Sequence, residues 1–282
     1  MMLVPVMGVD LYELSNNHVW RTEFGLPDFG EPAADWMQVG RGPRGLTEAG
    51  WVEYGFRNYY TLLDCGFRLR PTAGTASGVH PVPLGFGRVY VHVGKDFAYD
   101  AWVKGLNEGR SFVTTGPMLL AELDGRDPGA VFRPSGDGPH GFRLTGRALS
   151  AAPLSRIEVI VNGEVAERIK PANRKAGGGG YESALDARLK VEGSSWLAVR
   201  CYEEHADGRI RFAHTAPWHV EVAGKPLRPR KAEVEYLVKR VEEQLKRSAG
   251  VLPEAALAEY RAALRAYKAL AKSARRDGRG SR

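Results

Sequence analysis

The pattern of hydrophobic and polar positions changes twice along the chain. Up to residue 117, short apolar runs alternate with segments that have helical spacing. Between residues 118 and 222 only strand-like runs remain, separated by turns rich in Gly and Asn. Beyond residue 227, apolar side chains recur every three or four positions among Lys, Arg and Glu, which predicts helices. The expected fold class is therefore α/β followed by β, divided at 1–117, 118–226 and 227–282.

The first part predicts strands that alternate with helices. A helix is expected after Thr47, whose side chain can cap it, and it should end at Gly66. A second helix is expected to end at Gly109. The strands are expected at 9–14, 67–72, 89–93 and 110–115. Helices between successive strands favour a largely parallel sheet with crossover connections.

The second part predicts seven or eight strands, and the third part predicts a helical hairpin. Asn162-Gly163 lies between two alternating apolar runs, which is a strong hairpin signal. The strand spacing is typical of an immunoglobulin-like β-sandwich. In the third part, Gly250 ends one helix and Pro253 begins the next.

The net charge of +7 comes from the third part of the chain. Residues 225–282 carry a net charge of +9, and the remaining 224 residues carry −2. A basic helical tail without interleaved aromatic residues is more typical of a solvated face than of a nucleic-acid site, so a nucleic-acid partner is not expected. Cys65 and Cys201 fit two buried thiols. No segment has the roughly 18 consecutive apolar residues of a membrane span, and no signal peptide is recognised, so the cytoplasm is the default location.

Two polar loops follow the predicted strands 9–14 and 67–72. In α/β proteins the carboxyl ends of strands are where ligands bind. Imidazole and carboxylate groups can ligate a divalent metal, which makes three residues the candidate ligands. The candidate ligands are Glu13, His18 and His80, and the candidate catalytic residues are Asn17, Arg21, Thr75 and Ser77. The alternative is that these side chains only satisfy backbone groups of the two loops.

Five segments in order resemble the C-terminal half of the CehA/McbA-type metallohydrolases, in the PHP (polymerase and histidinol phosphatase) superfamily. The segments are 10–18, 59–69, 73–78, 83–91 and 109–117. The resemblance implies that residues 1–117 form half of a distorted (β/α) barrel and that the β-sandwich is an appended domain. It also implies a zinc, manganese or iron site that begins with a His-x-His motif and ends with Gly-[ST]-Asp-[SA]-[HG].

The chain departs from that pattern at two points. The last motif falls on residues 74–78, where Ala76 replaces the metal-binding Asp, and the chain has no His-x-His. The resemblance therefore implies a hydrolase of esters, phosphoesters or amides that is incomplete or inactive as this chain alone. Its small-molecule substrate is open. A missing upstream half or a second copy of the chain would be needed to complete the barrel.

The alternative function is a non-catalytic module that binds a carbohydrate or a protein through the β-sandwich. Aromatic residues in the second part could form a stacking face, or they could form the core of the sandwich. These residues are Trp196, Tyr202, Phe212 and Trp218.

Overall fold

The computed structural model describes residues 1–16, 19–20, 33–43, 45–76, 78 and 82–275. Within these ranges the protein is a mixed α and β fold, made mostly of strands in several sheets together with five helices. None of the sheets formed by the described residues closes into a barrel. The predicted mixture of α and β structure is confirmed at this level.

The helices and strands have the following bounds. The helices are α1 (Val4–Met7), α2 (Glu48–Asp64), α3 (Tyr99–Glu108), α4 (Lys231–Ser248) and α5 (Glu254–Ser273). The strands before α4 are β1 (Leu11–Ser15), β2 (Arg41–Gly42), β3 (Gly45–Leu46), β4 (Arg70–Ala73), β5 (Arg88–Val91), β6 (Ser111–Thr114), β7 (Met118–Leu123), β8 (Val131–Phe132), β9 (His140–Ser150), β10 (Arg156–Val161), β11 (Glu164–Ile169), β12 (Arg174–Lys175), β13 (Tyr181–Val191), β14 (Ser195–Glu204), β15 (Ile210–Thr215) and β16 (Trp218–Val220).

Strand β1, helix α2 and strand β4 form a crossover unit. The Thr47 side chain accepts a hydrogen bond from the Gly50 backbone N at 3.0 Å, so it caps α2 as the sequence predicts. The helix ends at Asp64, and Gly66 follows with a φ of 88°, in the left-handed region. Strands β1 and β4 then pair in parallel. The predicted crossover is confirmed for this pair of strands.

Strands β5 and β6 do not fit the parallel arrangement, so that expectation is wrong for this pair. Although α3 lies between them, the two strands are antiparallel, with Tyr90 opposite Phe112. The backbone N of His92 donates to the carbonyl of Arg110 at 2.8 Å and extends the antiparallel ladder. Helix α3 is therefore an insertion in a hairpin connection, and the chain returns to the same end of the sheet through Gly109, whose φ is 77°.

The largest sheet joins strands from both sides of residue 117. Its order is β11-β10-β14-β15-β6-β5, so β6 lies between β5 and β15. Strand β16 continues this sheet along β14, and β8 pairs with β16 in parallel. Strand β14 is buried from Ser195 to Glu203, as expected for a central strand covered on both faces.

A smaller sheet of order β12-β13-β9-β7 covers one face of the large sheet. Apolar side chains of both sheets form a core between them, including Leu144, Leu185 and Trp218. The hairpin predicted at Asn162-Gly163 joins β10 to β11, and both residues have positive φ angles, 48° and 79°. This matches the twist that tight hairpins require.

Helices α2, α4 and α5 cover the other face of the large sheet. The core on this side brings Phe56 of α2 together with Leu237 of α4 and Tyr267 of α5. Helices α4 and α5 form the hairpin that the sequence predicts. The Lys231 N donates to the Arg275 carbonyl at 3.0 Å, so the end of α5 returns to the start of α4.

Two buried carboxyl groups meet where α4 packs against α2. Asp64 and Glu233 are 2% and 1% exposed. The Trp196 Nε1 donates to Asp64 Oδ1 at 2.6 Å, whereas Asp64 Oδ2 has no donor among the described residues. Burial, and then the Glu233 carboxylate, raise the pKa of Asp64 well above its ordinary value. The buried surroundings and the neighbouring Glu233 carboxylate thus both favour the neutral form of the Asp64 carboxyl.

Two further buried polar groups connect α2 to the large sheet. Arg200, on β14, donates from Nε to Glu158 Oε2 at 2.9 Å and from Nη1 to Glu53 Oε2 at 3.1 Å. The His214 ring lies 2.7 Å from both the Tyr60 hydroxyl and the Thr215 carbonyl oxygen. Because a carbonyl can only accept, His214 Nδ1 carries the hydrogen and Nε2 accepts from the Tyr60 hydroxyl.

Candidate functional site

The structure places two of the predicted site residues, Glu13 and Thr75, at the carboxyl ends of β1 and β4. The Glu13 carboxylate is exposed and accepts a hydrogen bond from Asn16 Nδ2 at 3.3 Å. Its Oε1 would lie 3.1 Å from a Cβ added to Gly74, so the carboxylate rests against the second loop. The Glu13 side chain and the start of the second loop therefore lie at the same edge.

The Thr75 hydroxyl is already engaged with Gly87. It donates to the Gly87 carbonyl at 3.1 Å and accepts from the Gly87 N at 3.2 Å. A Cβ at Gly87 would lie only 2.5 Å from the Gly74 carbonyl, so this close approach of two backbones requires a glycine. Thr75 thus fixes the second loop against the chain entering β5.

The other predicted site residues lie outside the described residues. They are Asn17, His18, Arg21, Ser77 and His80. Within the described ranges, no three His, Cys, Asp or Glu side chains group as a metal site needs. A divalent metal bound by Glu13, His18 and His80 therefore stays a prediction, as do the catalytic roles of Asn17, Arg21, Thr75 and Ser77.

Ala76 occupies a backbone conformation that suits a different residue. Its φ is 47°, and its side chain is exposed. Left-handed conformations are uncommon for residues other than Gly, and Asn and Asp adopt them several-fold more often than other side chains. The loop thus has the backbone of a position that favours Asp, while the carboxylate is absent.

A groove of about 660 Å³ lies beside the edge strand β5. Strand β5 is the last strand of the large sheet, and β7 is the last strand of the smaller one. The Tyr90 ring stacks on Phe112, with centroids 5.2 Å apart and planes 10° from parallel. Phe112 belongs to the core between the sheets, whereas Tyr90 is 38% exposed. Tyr90 therefore contributes an exposed aromatic surface to the floor of the groove, and the buried Phe112 supports it.

Polar groups surround this floor. His92 Nδ1 donates to Asp127 Oδ2 at 2.7 Å at one end of the groove, where Arg110 also lines it. Glu122 and Arg147 line the side formed by the smaller sheet. The Arg88 guanidinium lies 6.0 Å from the Tyr90 centroid, at the outer limit of a cation–π contact. The groove thus combines one aromatic platform with hydrogen-bonding groups of both charges.

Sequence reasoning missed this groove. Its floor comes from β5 and β6 and its wall from β7, and only the pairing of distant strands reveals which sheet edges lie together. One local signal was available, since Tyr90 is a large aromatic residue in a strand that ends the sheet. By contrast, the aromatic residues considered as a stacking face are all buried in the cores. These are Trp196, Tyr202, Phe212 and Trp218.

Comparison with known proteins does not assign the chain to a family. No family model and no curated protein matches it. Among the described helices, none has the length and apolar character needed to cross a bilayer.

Proposed function

We propose that the protein binds a carbohydrate in the groove beside β5, with the two facing sheets as a rigid support. The observation that carries this proposal is the exposed Tyr90 ring, supported by its stacking on the buried Phe112, inside a groove that polar groups also line. A pyranose ring has an apolar face of C–H groups and an edge of hydroxyl groups. An aromatic platform bordered by His92, Asp127, Arg110 and Glu122 matches both parts.

The dimensions of the groove favour a carbohydrate over a protein partner. About 660 Å³ lies within the range of roughly 300–1,000 Å³ that is usual for small-molecule sites. A stable protein interface needs roughly 800 Å² on each partner, usually around a cluster of buried apolar anchors. The groove offers a single aromatic pair, Tyr90 and Phe112, instead of such a cluster of anchors.

Replacing Tyr90 by alanine tests this proposal. We expect a saccharide that binds the wild-type protein to bind Tyr90→Ala about tenfold more weakly, because the variant removes the aromatic surface that would cover the apolar face of the sugar. A glycan array would identify the saccharide, and calorimetric titration would give the dissociation constants.

Tyr99→Ala is the matched control, since Tyr99 is exposed but does not line the groove. It should bind the saccharide like the wild type. Equal binding by Tyr90→Ala and Tyr99→Ala, both with unchanged melting temperatures, would contradict the proposal. So would the absence of any saccharide that binds.

A metal-dependent hydrolase is the second proposal, and the backbone at Ala76 supports it. In this proposal residues 1–117 derive from half of a PHP-like barrel, and the facing sheets are an immunoglobulin-like domain. Glu13, His18 and His80 would hold part of a metal site that this chain alone leaves incomplete, and the metal would activate water towards an ester, phosphoester or amide. The left-handed φ of 47° at Ala76 is a conformation that Asp adopts more readily than Ala, and the exposed Glu13 carboxylate rests against the same loop at Gly74.

Restoring the carboxylate tests the second proposal. We expect Ala76→Asp to bind more zinc or manganese than the wild type, measured as metal content after dialysis, because it adds a ligand oxygen at the loop edge. Ala76→Asn is the control, since Asn also favours the left-handed conformation but is uncharged. Equal metal content in all three proteins would argue against a metal site at this edge.

A further inference from the structure

A second cleft, of about 280 Å³, lies at the opposite end of the β1–β4 pair from the two loops. Arg68 and Arg70 line it at the start of β4, whereas Thr75 follows the end of that strand. Val131 of β8 and His219 of β16 form the facing side. The cleft is therefore separate from the loop edge that the sequence singles out, and also from the groove beside β5.

Arg68 and Arg70 use only some of their guanidinium N–H donors in hydrogen bonds to the described residues. Arg70 Nη1 donates to Asp10 Oδ1 at 3.0 Å and to the Arg68 carbonyl at 3.2 Å. Arg68 Nη2 donates to Glu221. Among the described residues, the remaining guanidinium nitrogens of Arg68 and Arg70 have no hydrogen-bond acceptor, although both side chains line the cleft.

Acidic groups around the cleft are outnumbered by cations. Glu221 is shared by Arg68 and by Arg133, whose Nε lies 2.8 Å from Glu221 Oε2. The other two carboxylates are also paired, and the pairs are Glu108 with Arg110 and Lys104, and Asp10 with Arg70. Two arginines and two carboxylates thus line the cleft, and each of these carboxylates is also paired with a cation outside the lining, so the surrounding ion-pair network has five cations and three carboxylates.

The pKa of His219 reflects the positive charge of the two arginines that line the cleft. Burial, together with the charges of Arg68 and Arg70, lowers the pKa of His219 to about 3. The ring is thus neutral at physiological pH and can donate one hydrogen bond. The two arginines create a positive potential at the ring that would equally attract an anion.

We propose that this cleft binds a small molecule through an oxyanion, a phosphate or a carboxylate, held by Arg68 and Arg70 with His219 as a neutral donor. Guanidinium groups suit this role because their planar N–H donors match the geometry of phosphate and carboxylate oxygens. The volume leaves space for an organic part of the ligand beside Leu69 and Val131.

Titration of the full chain with inorganic phosphate or with succinate tests the proposal and distinguishes the two anions. The ring signals of His219 in NMR spectra, at constant ionic strength, report binding. At neutral pH, where phosphate and succinate are both ionised, a bound anion is expected to shift the ring signals of His219 until the site is saturated, because the anion contacts the ring. Chloride at the same ionic strength should leave these signals unchanged.

Arg70→Gln should weaken binding by about tenfold or more, because hydrogen bonds to a charged group are worth about 1.5–3 kcal/mol. Arg143→Gln is the matched control, since it removes an exposed arginine that pairs with Asp186 away from the cleft. Arg68→Gln provides the same test if Arg70→Gln does not fold.

Two results would overturn the proposal. The first is that neither phosphate nor succinate binds with a dissociation constant below about 10 mM. The second is that a folded Arg70→Gln or Arg68→Gln variant binds as tightly as Arg143→Gln. Either result leaves the proposed carbohydrate groove unaffected, because the two sites share no lining residue.

Discussion

Replacing Arg200 with methionine is expected to lower the free energy of unfolding by about 3–5 kcal/mol, the usual cost of removing one partner from a buried ion pair. Arg200 and Glu158 are each 5% exposed, and Arg200 also binds Glu53. Without the Arg200 guanidinium, the remaining cations near Glu158 in the described part of the chain are Arg156 and Arg168. Their Nε atoms lie 3.9 and 3.6 Å from Glu158 Oε1. Urea unfolding followed by tryptophan fluorescence would measure the loss.

A second substitution separates the charge effect from lost packing. Glu158→Gln in the Arg200→Met background removes the unpaired charge, so we expect it to recover a large part of the lost stability. Arg168→Met, at an exposed position, should change stability by less than about 0.5 kcal/mol. A double variant no more stable than Arg200→Met would show that the charge of Glu158 is not the cause.

Acid is expected to destabilise the fold through His214. Burial lowers the pKa of His214 to about 3, whereas the unfolded chain should titrate near the ordinary value of about 6.5. The unfolded state therefore binds more protons, and stability is lost as the pH falls from about 6.5 towards 3. Between pH 6.5 and 4.5 we expect His214 alone to contribute a loss of about 2–3 kcal/mol.

His214→Gln tests this expectation, because glutamine can accept from Tyr60 and donate to the Thr215 carbonyl without titrating. The variant should lose about 2–3 kcal/mol less than the wild type over that pH range. Urea unfolding at several pH values would measure the slope. An unchanged acid slope in His214→Gln would refute the assignment.

Local signals explain which parts of the fold the sequence predicts. The Thr47 cap, the left-handed Gly109 and the Asn162-Gly163 turn each act over a few residues, and all three form as expected. The direction in which β5 and β6 pair depends instead on the path of the chain through α3. Side chains alternate in the same way in parallel and antiparallel strands, so periodicity alone could not distinguish the two.

The candidate sites also differ in whether local sequence or tertiary pairing brings their residues together. The meeting of Glu13 with the loop at Gly74 follows from one crossover unit, and the sequence predicts it. The groove beside β5 requires three strands, and the cleft around Arg70 requires β4 to face β8 and β16. The neighbours in the cleft are set by tertiary contacts between segments more than fifty residues apart, which no local pattern encodes.

The position of β6 between β5 and β15 has an evolutionary consequence. A rearrangement that separated the gene at residue 117 would leave β6 without β15 in one product and β15 without β6 in the other. Each product would expose a new strand edge, and such edges promote aggregation. Such a rearrangement is therefore expected to be selected against, because each segment covers an edge of the other.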